Sequence, residues 1–151
     1  MQLVADIVNK HGKSREKLLP ILQDIVKEKR YLNEDSMMAV AKELNLSSAE
    51  VYGVASFYTF LDVKARGENI IRLCKTIKCD MAGKEKILKA LEEKLRIKVG
   101  ETTPDNKFSL LTTNCMGWCH KGPAMLVNDD VYTELTAEKV VDIIDKYLSN
   151  K

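Results

Sequence analysis

Asn69-Ile70-Ile71-Arg72-Leu73-Cys74-Lys75-Thr76-Ile77-Lys78-Cys79 is a short β-prone run that ends on a cysteine, with a second cysteine five positions further on. The remaining two cysteines follow a similar run. Phe108, Leu110 and Thr112 alternate with Ser109 and Leu111 and lead to Cys115-Met116-Gly117-Trp118-Cys119. A C-x4-C pair and a C-x3-C pair, 35 residues apart, therefore each come just after a strand, where loops at one edge of a sheet can converge. Four thiolates are the number that closes a [2Fe–2S] cluster or a structural zinc site, and no cysteine is left over.

Working outward, Gly83 precedes a helical pattern with Ile87, Leu88, Leu91 and Leu95 on one side, and Thr103-Pro104-Asp105-Asn106 is turn chemistry. Residues 124–128 read as a third strand, Asn128-Asp129-Asp130 as a hairpin turn and residues 131–133 as a fourth strand. A last helix from Thr136 points Val140, Val141, Ile144, Tyr147 and Leu148 at the core. Strand, helix, strand, strand, strand, helix suits a small sheet with helices packed on it.

Upstream of Arg66-Gly67 the pattern is helical. Leu18, Ile21, Leu22, Ile25 and Val26 form one apolar stripe, which tolerates Pro20 only if the helix begins close to it. Asn33 can cap a helix carrying Met37, Val40, Ala41 and Leu44. Ser47-Ser48-Ala49-Glu50 fits a capping box, with Leu46 and Val51 placed as a hydrophobic staple. That helix runs into Phe57, Tyr58 and Phe60, and with Tyr52 these aromatics are expected to form the core of the helical half, a partner interface being the alternative.

Composition narrows the function classes. Net charge is +2 with 30% charged residues, so neither sign dominates and no footprint for nucleic acid or an anionic membrane emerges. Asp6, Asn9 and Lys10 interrupt any apolar run at the start, and no stretch approaches the roughly 18 apolar residues that span a bilayer. The expectation is a cytoplasmic protein without direct membrane insertion, whether free or in a complex at the cytoplasmic membrane face, where paired cysteines are metal ligands or redox groups more often than disulfides.

Spacing favours a cluster without settling it. Zinc knuckles prefer C-x2-C loops and dithiol oxidoreductases want C-x-x-C at a helix start, and neither form occurs here. Plant-type ferredoxin spacing is also different. Lys75, Lys78 and Lys121 would add positive charge near an anionic cluster, or are ordinary solvated lysines. His120 adjoins a cysteine, but with four cysteines present it reads as an exposed loop residue; Trp118 reads as cluster cover or packing. No G-x-G-x-x-G dinucleotide-binding fingerprint occurs in the chain.

Several runs together carry a family resemblance: Ile21-Leu22-Gln23-Asp24 through Tyr31-Leu32, Val51-Tyr52-Gly53-Val54-Ala55-Ser56-Phe57-Tyr58, both cysteine pairs, Gly122-Pro123-Ala124 and Val127-Asn128-Asp129-Asp130. In that order they resemble the thioredoxin-like [2Fe–2S] ferredoxin subunit of NADH dehydrogenases. This is the family of the complex I 24 kDa subunit and of the small subunits of NAD(P)-linked, including bifurcating, hydrogenases and formate dehydrogenases. The resemblance implies an α+β or α/β chain: a small N-terminal helical bundle for partner docking over residues 1–66, then a thioredoxin-like domain over residues 67–151. It implies one [2Fe–2S] cluster held by Cys74, Cys79, Cys115 and Cys119. It further implies an electron-transfer subunit of an NAD(P)H-linked oxidoreductase, partnered by a flavoprotein that binds FMN and NAD(P)(H) and by further iron–sulfur or hydrogenase subunits. A zinc-stabilised interaction module and a stand-alone thioredoxin-like ferredoxin are the alternative readings. Two stretches depart from the family pattern: Lys75-Thr76-Ile77-Lys78 lacks the Gly-Thr common there, and His120-Lys121-Gly122-Pro123 replaces Gly-Leu-Ala-Pro. The second departure resembles hydrogenase-associated members more than respiratory ones.

Overall fold

Apolar stripes and caps place the helices of the first 66 residues. In the computed structural model, which describes residues 2–149, these are α1 (Gln2–His11), α2 (Leu18–Lys29), α3 (Glu34–Leu44) and α4 (Ser48–Phe57). Pro20 is the third residue of α2, where a missing N–H costs nothing because first-turn donors have no intrahelical partner. Asn33 accepts a hydrogen bond from the Ser36 N–H at 3.0 Å and so caps α3. At α4 the Ser47 half of the expected capping box forms, with the Glu50 N–H donating to Ser47 Oγ at 3.2 Å. The Glu50 carboxylate pairs with Arg15 at 2.6 Å. Val4, Val8, Ile21, Leu22, Ile25, Leu32, Val40 and Val51 are all but sealed from solvent and make the core of this unit.

The aromatic expectation needs correcting. Phe57 is 76% exposed, Tyr52 54%, Phe60 50% and Tyr58 42%, so the core is aliphatic and these rings lie outside it. α4 is apolar nearly all round; Val51 and Ala55 are buried and Val54 packs partly buried against the core.

α1 and α2 are tied by Asp24, whose carboxylate accepts from His11 Nε2 at 2.8 Å and Lys10 Nζ at 3.1 Å. The His11 hydrogen bond, then that of Lys10, holds the Asp24 carboxyl down at about 2. Because the folded value lies below the unfolded one of roughly 3.9, the tie contributes fully above about pH 4 and is lost as pH falls through about 2. Asp24→Asn should therefore flatten the acid limb of a far-UV circular-dichroism titration between those values, leaving the neutral-pH signal unchanged.

A second compact unit begins at Gly67. Its elements are β1 (Asn69–Cys74), α5 (Ile77–Met81), α6 (Lys84–Leu95), β2 (Phe108–Thr113), β3 (Met125–Val127), β4 (Asp130–Tyr132) and α7 (Ala137–Ser149). The sheet order is β2-β1-β3-β4. β1 runs parallel to β2 and antiparallel to β3, with β4 closing the edge as a hairpin. Alternation along the strands puts Ile71, Leu73, Phe108, Leu110, Met125 and Val127 on one face. They pack there against Ile87, Leu91 and Leu95 of α6 and Val140, Ile143 and Ile144 of α7. Cys74 takes the opposite parity and lies on the other face, in register with Thr113. The helix α5 is an addition to the expected order of elements. Five residues are too few to show a helical period, and the sequence alone reads them as loop.

Candidate metal centre

Both cysteine pairs sit at the C-terminal ends of the two parallel strands. Cys74 closes β1, held by its own N–H donating to the Ala124 carbonyl at 3.1 Å and by Lys75 N–H donating to the Thr113 carbonyl at 2.9 Å. The chain then turns directly into α5, which carries Cys79 on its inner side; Cys74 is 2% and Cys79 1% exposed. The second pair follows β2. Cys115 is exposed in the loop, and Cys119 starts a short 3-10 turn (Cys119–Lys121). Each pair thus takes its first thiol from extended or loop backbone and its second from a helical turn.

The sulfurs come together pairwise. Cys115 Sγ and Cys119 Sγ are 3.0 Å apart, and the Cys74 and Cys79 thiols are in mutual hydrogen-bond contact. The two loops also meet each other. The Met116 N–H reaches the Cys74 sulfur, and the charges of Cys74 and Cys79 are felt at Cys119. A Cβ placed on Gly122 would lie 3.4 Å from Cys79 Sγ, so the second loop passes directly over the first pair. Gly117, at φ +87°, turns its N–H toward Cys115 Sγ at 3.4 Å in a conformation that favours glycine.

Electrostatics separate the thiols. Burial pushes the Cys74 thiol up, but hydrogen bonds from the Thr76 hydroxyl and N–H, the Cys79 thiol and the Met116 N–H outweigh it, and the group ends below the usual thiol range. Burial and the hydrogen bond to Cys74 raise Cys79, against the opposing pull of the Ala124 backbone. The hydrogen bond with Cys115 raises Cys119. Backbone and hydroxyl donors aimed at sulfur are the outer shell that an iron–sulfur centre uses to tune its ligands. Sequence spacing leaves room for such donors; Gly117 is the one residue whose type announces the turn that aims one.

The donor set fits a two-iron cluster. Among the described residues no three or more His, Cys, Asp and Glu side chains gather as a single-ion site, whereas the cysteines stand as two pairs, two thiolates for each of two irons. Tetrahedral coordination at metal–sulfur distances of about 2.3 Å sets two sulfurs roughly 3.7 Å apart, so the Cys115–Cys119 pair needs to open by well under 1 Å. Around the pairs, Ile77 is 77% and Met81 82% exposed on the outer side of α5, and Lys75, Lys78 and Lys121 are exposed beside them. His120 stacks on Trp118 with ring centroids 5.9 Å apart, and the indole is 38% exposed.

The family model described as thioredoxin-like [2Fe–2S] ferredoxin matches residues 4–148. The chain belongs to this family. Its cofactor is accordingly a [2Fe–2S] cluster. A subunit of the NADH-quinone oxidoreductase of Buchnera aphidicola subsp. Acyrthosiphon pisum (strain APS) is 38% identical over 126 residues, 83% of this chain and 78% of that one. Its counterpart in the NADH-quinone oxidoreductase of Escherichia coli (strain K12) is 36% identical over 126 residues, 83% and 76% of the two chains. The mitochondrial NADH dehydrogenase [ubiquinone] flavoprotein 2 of Dictyostelium discoideum is 37% identical over 136 residues, 89% of this chain and 55% of that one. In three dimensions the thioredoxin-like ferredoxin superimposes on an NAD+-reducing [NiFe]-hydrogenase in the H2-reduced state with a TM-score of 0.80 at 21% identity, a likeness of fold. The superposition covers 93% of this chain and spans only 24% of the hydrogenase chain.

Proposed function

We propose that Cys74, Cys79, Cys115 and Cys119 hold the [2Fe–2S] cluster, and that through it the chain exchanges electrons with a flavoprotein subunit that binds FMN and NAD(P)(H). The chain is the electron-transfer subunit of an NADH-linked oxidoreductase complex, as its relatives in NADH dehydrogenases are. The observation that carries the ligand assignment is the meeting of two cysteine loops from the ends of adjacent parallel strands.

The cluster supplies one-electron chemistry. The rest is the work of the chain's own groups. β1, α5, the loop after β2 and the 3-10 turn at Cys119 position the four sulfurs; burial of Cys74 and Cys79 keeps water from one pair; the N–H groups of Met116 and Gly117 direct positive dipole ends at thiolates. The exposed Cys115 side leaves a short path to a docked redox partner. The helical unit serves as the docking module, with Tyr52, Phe57, Tyr58 and Phe60 as its exposed contact surface. The complex works in the cytoplasm; among the described residues no helix is long and apolar enough to cross a membrane.

Anaerobically purified chain should be red-brown, with about two irons and two sulfides per chain, and should give an S = 1/2 signal on reduction. Stoichiometric zinc in a colourless protein would overturn the assignment. The flavin-free chain should not oxidise NADH with an artificial acceptor, and activity should emerge only when the flavoprotein subunit is added. Phe57→Asp should weaken co-purification with that subunit while leaving iron content unchanged.

A further inference from the structure

Thr76 stands between the first two cysteines at the N-cap position of α5, with the extended backbone that N-caps adopt (φ −73°, ψ 157°). A threonine there would normally turn its hydroxyl back to a backbone N–H of the helix. It does not: the Thr76 side chain makes no cap hydrogen bond, and its Oγ1 lies 3.1 Å from Cys74 Sγ. The hydroxyl forgoes the helix for the sulfur. Cys74 as a thiolate can only accept, so Thr76 is the donor in that pair. The contact is made at a sulfur 2% exposed, where competing water is scarce and a dipole acts at short range.

We propose that Thr76 is a positioning residue that raises the reduction potential of the cluster by donating its hydroxyl hydrogen bond to the Cys74 sulfur. The inference rests on the reading of Cys74 as a ligand. Reduction adds one electron to a centre already net negative, and a donor pointed at a ligating sulfur stabilises the added charge more than the oxidised state. The Met116 and Thr76 N–H groups also reach this sulfur, so the hydroxyl supplies part of the stabilisation.

The test is a redox titration of the full chain, wild type against Thr76→Val and Thr76→Ser, followed by the S = 1/2 signal, with iron and sulfide assayed in each. Valine keeps the branched shape and removes the hydroxyl; serine keeps the hydroxyl. Thr76→Val should hold its cluster and be reduced several-fold less at a fixed ambient potential, a tenfold change being 59 mV for one electron. Thr76→Ser should fall close to wild type. An unchanged midpoint in Thr76→Val, or an equal shift in Thr76→Ser, would overturn the proposal. If Thr76→Val does not retain iron, Thr76→Ala is titrated in its place. Loss from both hydroxyl-free variants with retention in Thr76→Ser makes the hydroxyl a requirement for holding the cluster and overturns the tuning role. A wild-type chain without iron would instead remove the ligand reading itself, an outcome the assay separates from any effect at Thr76.

Discussion

Cys79→Ala is expected to leave the chain without its iron and sulfide while the second unit stays folded. Cys79 is 1% exposed on the inner side of α5, beneath the backbone at Gly122. Removing its thiolate leaves one iron with a single protein ligand in a place that water and thiols from solution do not readily reach. The packing change is small, because alanine suits a helix and the missing sulfur is one atom beside Gly122. Near-complete loss of visible absorption and of acid-labile sulfide, with the far-UV spectrum preserved, is the expected result. Exposed Cys115 provides the contrast: solvent or an added thiol can reach its position, so Cys115→Ala should lose the cluster more slowly and respond to exogenous thiol. Full iron content in Cys79→Ala would show that this thiol is not a ligand.

Gly67→Ala should destabilise the second unit by on the order of 3 kcal/mol. A Cβ at Gly67 would fall 2.8 Å from the backbone carbon and 2.9 Å from the backbone nitrogen of Phe108, and backbone cannot step aside as a side-chain tip can. The same shift would strain the hydrogen bond from the Gly67 N–H to Ser109 Oγ at 2.7 Å, whose serine is fully buried. Gly53→Ala is the control of opposite sign. Gly53 lies within α4, and a methyl placed there would meet nothing within 4 Å, so alanine should stabilise the helix by up to about 1 kcal/mol. Denaturant titrations of both variants check the pair. Equal effects would mean that the approach of Gly67 to β2 is not tight in solution.

Strand, turn and cap chemistry in this chain is written in short-range residue patterns. Asn33 caps where its side chain and the following Ser36 N–H dictate, and β1 and β2 run to their cysteines as alternation requires. Other features depend on contacts no local pattern encodes. Phe57 and Tyr58 are large and apolar, which suggests a core, but Leu22, Ile25 and Val40 already fill it and the rings stay outside. Glu50 completes no reciprocal cap because Arg15, far away in sequence, offers a charged partner. At the site, the cysteine spacing announces four donors in two pairs. The choice of Thr76 between helix and sulfur arises only when Cys74 and α5 are set in place by the fold.

β1 enters the sheet at Asn69 beside Phe108 and ends at Cys74, five residues and roughly 17 Å further on. Paired with β2 on one side and β3 on the other, the strand is a rigid spacer between the start of the sheet and the first thiol. A change at the Asn69 end of the strand therefore acts about three pleats away from the first thiol. The first thiol is placed by a strand hydrogen-bonded on both sides, and the loop beyond it inherits a fixed starting point.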